Sequence, residues 1–190
     1  MSDAENISLL DKTMNFFHNN KKKILAVILI IILSVFSKLT FDYFSEKKQL
    51  AISNQFNNAK ILLSQNKNDE ALNLFRSIIS SKNKFYSSLS LNYVISNNLI
   101  ENQKTIIELF DTALTSKSLD QEEKNLIMYK KGIYLFSQKQ NEIALQVMNT
   151  IINDNTIWKK IAAQTVSNYY SVLGEEQKAE EYNNIMIKSE

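Results

Sequence analysis

Asn125–Asp154 reads NLIMYKKGIYLFSQKQNEIALQVMNTIIND. Apolar residues at Leu126, Tyr129, Ile133 and Phe136 recur three or four residues apart, and Ala144 and Met148 repeat that spacing after a polar break. Such spacing predicts two helices, each with one apolar face. Gly132 precedes Ala144 by twelve residues. Small residues at that separation, one per helix, mark where the two helices of a hairpin touch most closely. A bulky side chain there would force them apart.

The same pattern returns on either side. Ala59 and Ala71 keep the twelve-residue spacing, and so do Ser167 and Ala179, with Gly174 at the turn between the last two helices. The second-helix positions Ala71, Ile106, Ala144 and Ala179 lie 35, 38 and 35 residues apart. Phe75, Phe110 and Met148 follow four residues after three of them, where a large apolar side chain packs on the next helix. The second unit matches least: Val94 and Ile106 replace both small residues, although Ala113 fits a later small position. A period near 34 residues is that of the tetratricopeptide class. None of the four units carries that class's tryptophan near its start or its closing proline.

Two glycines and no prolines leave little of the turn chemistry that a sandwich or barrel needs. The expected fold is all-α, an antiparallel helix-pair (tetratricopeptide-like) solenoid after one N-terminal transmembrane helix. Local signals mark its boundaries. Asn66-Lys67-Asn68 breaks one helix, and Asp69-Glu70 places acid at the next N-terminus. Asp120 with Glu123 resembles a capping box. Asn141 and Thr156 are expected to open two further helices.

The transmembrane expectation rests on Lys21-Lys22-Lys23 and the apolar run Ile24–Phe36, in which Ser34 is the one polar residue. Thirteen helical residues span only about 20 Å, short of a hydrocarbon core of roughly 30 Å. Extension through Phe44 gives about 31 Å. Lys38 and Asp42 then lie at i,i+4, where they can pair, and Phe41, Tyr43 and Phe44 fall where an interfacial aromatic belt sits. The competing reading is a signal peptide cleaved after Val35-Phe36-Ser37. The tight lysine triplet favours an N-terminus in the cytoplasm. Residues 1–20 are accordingly expected to form a cytoplasmic tail, 21–44 the anchor, and 45–190 a periplasmic repeat domain at a bacterial inner membrane. Within the tail, Leu10, Met14 and Phe17 are spaced for a short amphipathic helix, with disorder as the alternative.

Composition narrows the chemistry. Beyond Ile24 the chain carries 18 basic and 17 acidic residues, interspersed, so it lacks the basic stripe of a nucleic-acid binder. Cysteine is absent, and His18 is the only histidine. No thiolate nucleophile is available, and a lone histidine makes neither a triad nor a metal site. Glycine-rich phosphate loops, GxSxG and HExxH are missing. The pairs Glu122-Glu123, Glu175-Glu176 and Glu180-Glu181 are the remaining acid/base candidates, and solvated helix starts explain them more simply. No catalytic residue, cofactor or metal is expected.

Stacked first helices would line a concave binding face. In the third unit the inward positions are Leu126, Tyr129, Ile133 and Phe136, an apolar strip suited to a peptide segment or partner helix. Internal packing, or packing in a homodimer, is the competing reading of the strip. The equivalent fourth-unit positions, Ile161, Gln164, Asn168 and Ser171, are mostly polar.

Lys21–Lys23, the span from Ile24 and the paired residues Ala59/Ala71, Gly132/Ala144 and Ser167/Ala179 together resemble the YfgM-like ancillary subunits of the Sec translocon. That resemblance implies a non-enzymatic, membrane-anchored interaction module. Its expected partners are translocon subunits, a periplasmic chaperone and nascent chains. Two other roles fit the same residues, a periplasmic scaffold for envelope assembly or division and an anchored adaptor facing the cytoplasm.

Overall fold

Helix α1 runs Ser2–Ser64 and is followed by α2 Asn68–Ser80, α3 Tyr86–Ser96 and α4 Gln103–Leu114. After these come α5 Gln121–Ser137, α6 Asn141–Asn153, α7 Trp158–Val172 and α8 Glu176–Ile187. The computed structural model describes residues 2–187, with side chains from Met14 onward except those at 15, 17 and 19. No strand occurs among the described residues. The chain divides into two units, Met1–Ala51 and Ile52–Glu190, and α1 contributes to both.

In the first unit, α1 contains a segment long and apolar enough to cross a membrane, and none of it is buried by protein. Leu25, Ile30, Leu33 and Phe36 are each more than half exposed. Two of its hydroxyls are satisfied within the helix. Ser34 Oγ donates to the Ile30 carbonyl at 2.8 Å and Thr40 Oγ1 to that of Phe36 at 2.6 Å, removing polar groups that hydrocarbon would otherwise penalise. Lys38 and Asp42 do not join in an ion pair, contrary to expectation. Their order, cation before anion, is the weaker orientation at i,i+4. Of the amphipathic pattern in the tail, the Leu10 and Phe17 side chains lie outside the described residues.

The second unit takes in the end of α1 and helices α2–α8, which can be taken two by two along the chain as four successive pairs. The small residues expected at helix contacts are buried. Ala59, Ala71 and Ala144 are fully buried, and Ala179 and Ser167 nearly so. Ser167 Oγ donates to the Ala179 carbonyl at 2.7 Å, a direct bond between the two predicted positions. At Gly132 an added Cβ would lie 2.6 Å from Met148 Cε and 3.2 Å from its Sδ. In the second pair, Val94 and Ile106 are both buried despite their bulk.

One turn closes all four pairs. A left-handed residue, Asn66, Asn98, Lys139 or Gly174, ends the first helix with φ between 48° and 75°. The following N–H reaches back to the carbonyl five residues earlier: Lys67 to Leu62, Leu99 to Val94, Gln140 to Leu135 and Glu175 to Tyr170, each at 2.9–3.0 Å. This is the Schellman closure, which satisfies carbonyls that a helix end leaves open. In pairs one, three and four, Lys67, Gln140 and Glu175 then start the second helix, their carbonyls accepting from Ala71, Ala144 and Ala179 at 3.0 Å. The second pair instead inserts Leu99–Glu101 and starts α4 with Asn102, whose side chain accepts from the Thr105 N–H.

Asp120 and Glu123 form the expected capping box at the start of α5. Two other caps differ from expectation. Asn141 is already inside α6, and α7 begins at Trp158 with Ile157 before it. Thr156 is committed elsewhere, accepting a hydrogen bond from Asn125 Nδ2 at 3.0 Å.

Packing runs mainly between neighbours in the chain. Helix α2 contacts α3 and α4, α4 contacts α5, α5 contacts α6 and α7, and α7 contacts α8. Two apolar cores result. Phe56, Phe75, Val94 and Phe110 belong to the first, and Met148, Ile151, Ala163 and Val166 to the second. Helix α5 serves both, with Ile127 and Tyr134 against the first and Met128, Tyr129 and Phe136 against the second.

Candidate functional site

A cleft of about 310 Å³ opens between α3 and α5. Asn92, Ile95 and Ser96 line it from α3, and Tyr129, Lys130, Ile133, Tyr134 and Ser137 from α5, with Phe110 of α4 reaching in. On each helix these positions recur at three- and four-residue spacing, so they share a face. Tyr134 packs on Phe110 with ring centroids 6.0 Å apart, and burial raises its phenol pKa above the ordinary value.

Among the described residues, Lys130 is the only charged one lining this cleft. It is half-buried and has no hydrogen bond or ion pair among the described residues. Loss of hydration lowers its pKa below that of an ordinary lysine. Its neighbour Lys131 differs, pairing with Asp111 at 2.5 Å.

The predicted strip of α5 divides between two surroundings. Ile133 is 41% exposed and faces the cleft. Tyr129 also borders the cleft, but its ring lies 5.7 Å from that of Trp158 and its hydroxyl is 3.1 Å from Thr165 Oγ1. Phe136 packs on Tyr169 of α7, with centroids 5.0 Å apart. Leu126 is half-buried and lines no part of the cleft. In the fourth pair, Ile161, Gln164, Asn168 and Ser171 are all exposed.

The acidic neighbours on α5 hold the backbone. Glu123 completes the capping box and pairs with Lys84 at 2.9 Å. The pairing raises the Lys84 pKa. Glu122 Oε1 accepts the Ile157 N–H at 3.2 Å, tying α5 to the start of α7. Beside it, the fully buried Asn125 donates to Asp154 Oδ2 at 2.9 Å and accepts from Gln121 at 3.2 Å. This polar clip between α5 and the α6–α7 turn was not foreseen from the sequence. Asn125 at the head of an apolar series was its one visible trace. Among the described residues, no group of three or more His, Cys, Asp or Glu side chains is placed to hold a metal ion.

No protein-family model matches this chain. The comparison with curated proteins likewise finds no match.

Proposed function

We propose that this chain is a membrane-anchored, non-enzymatic protein-interaction module whose second unit is a tetratricopeptide-like solenoid. The observation that carries the reading is the cleft between α3 and α5, the first helices of adjacent pairs. Such helices line the binding face of a solenoid. Three features support the repeat class: the recurring Schellman turn, the Ser167–Ala179 contact, and the packing of α5 on α7, again two first helices. With the exposed apolar segment of α1, they favour a role like that of the YfgM-like ancillary Sec subunits. In that role the second unit lies in the periplasm and recruits chaperones or emerging chains to the translocon.

Absence of native cysteine makes the topology directly testable. Ser118 lies exposed in the turn before α5. In intact cells, Ser118→Cys is expected to react with a membrane-impermeant maleimide before lysis. Labelling only after lysis would place the second unit in the cytoplasm, and the periplasmic role would be abandoned for that of a cytoplasmic adaptor.

A further inference from the structure

We propose that the α3–α5 cleft takes an apolar peptide segment running through it, with an acidic side chain of that segment pairing with the Lys130 ammonium. The inference deepens the interaction-module reading and rests on it. The cleft offers an apolar wall from Ile95, Phe110 and Ile133, and one cation that no carboxylate among the described residues neutralises. A half-buried ammonium without a partner has given up water and received nothing in return. An incoming carboxylate supplies the missing partner, and the pair is stronger in a partly dehydrated cleft than in bulk water. The folded chain itself provides the contrast, because the adjacent Lys131 is already paired with Asp111. Asn92 and Ser96 add neutral hydrogen-bonding groups on the α3 wall, and Ser137, about two helical turns beyond Lys130, already donates its hydroxyl proton to the Tyr134 carbonyl at 2.6 Å and presents only its oxygen as an acceptor. Groups spread along the cleft in this way suit the backbone of a chain passing through rather than a chain end bound at the cation.

The full-length chain in detergent micelles is panned against a phage library of linear peptides displayed without free C-termini. Retained peptides are expected to carry Asp or Glu beside Leu, Ile or Phe at about threefold or more over the input library, the preference that a partly exposed ion pair confers. Lys130→Gln should abolish the acidic preference while keeping the apolar one. Lys130→Glu should turn the preference toward Lys and Arg, an inversion that a purely structural residue would not produce. Apolar peptides retained without charge preference, or an acidic preference unchanged in both variants, would overturn the inference and leave the interaction module standing. If the wild-type chain retains no peptide, the inference and peptide capture by this unit fail together. Far-UV circular dichroism of both variants confirms that the helices are retained.

Discussion

Gly132 shows how one residue sets the approach of two helices. Its missing side chain admits Met148, which is fully buried against it. Two effects oppose each other when a methyl is added. Alanine gains about 1 kcal/mol of helix propensity over glycine, while the new Cβ must displace the flexible end of Met148. Gly132→Ala is therefore expected to change stability by no more than about 1 kcal/mol. Gly132→Leu has no such compensation and should cost about 2 kcal/mol or more through overpacking. Thermal melts of the two variants check the difference, and equal stability would mean that α5 and α6 are not in close contact. The sequence disclosed this position because smallness at a fixed separation is a local signal. Lys130 carried no comparable signal, since its lack of a partner follows from where Asp111 and the other carboxylates end up.

Capping and turn chemistry act at the scale of the element. Asp120 accepts the Glu123 N–H at 2.9 Å, and Glu123 accepts the Asp120 N–H at 3.0 Å, so two otherwise open donors are closed. Asp120→Ala should cost about 1 kcal/mol, read as a lower melting temperature, whereas Asp120→Ser should recover most of it. Loss from both substitutions alike would mean that the cap does not hold α5. The four Schellman turns teach a different lesson. Gly174 could be recognised as a turn residue and Asn66-Lys67-Asn68 as a break, but Asn98 and Lys139 adopt the same left-handed backbone with side chains that do not announce it. Asparagine visits that region readily and lysine does so at some cost, so Lys139 was invisible until its backbone was seen. Asn141 and Thr156 illustrate the converse. Both are good capping residues by type, yet the helices begin at other positions because the Gln140 backbone and Asn125 claim them first.

In the second unit as a whole, stability should fall toward its C-terminal end. Helix α8 makes its main contact with α7, and a hydrogen bond from the Tyr182 hydroxyl to Asn149 at 3.0 Å reaches α6. Helices α2, α3 and α4 share a core whose members Phe75, Ile78 and Val94 have no exposed surface. Local opening should follow this gradient, because arrays packed neighbour on neighbour unfold from weakly held ends. In hydrogen exchange, the amides of α8 are expected to exchange well before those of α2. Simultaneous exchange across the unit would mean that the two cores act as one cooperative block. In the first unit, the exposed apolar surface from Leu25 to Phe36 lies on a helix long and apolar enough to cross a membrane, as its composition implied.

The sequence by itself determined the all-helical class, the apolar N-terminal span, the capping box and the small residues at which paired helices meet. Each depends on neighbours within a turn or on a repeated spacing, and both are written in order along the chain. Only the tertiary structure decided how α5 is shared. It directed Phe136 to Tyr169, turned Ile133 toward the cleft, split Tyr129 between the two, and left Lys130 without a carboxylate among the described residues. Helical periodicity names the residues on a face but not the neighbour that covers it. That outcome depends on how α3, α5 and α7 pack, set by the volumes of side chains more than thirty residues apart, such as Tyr129 and Thr165.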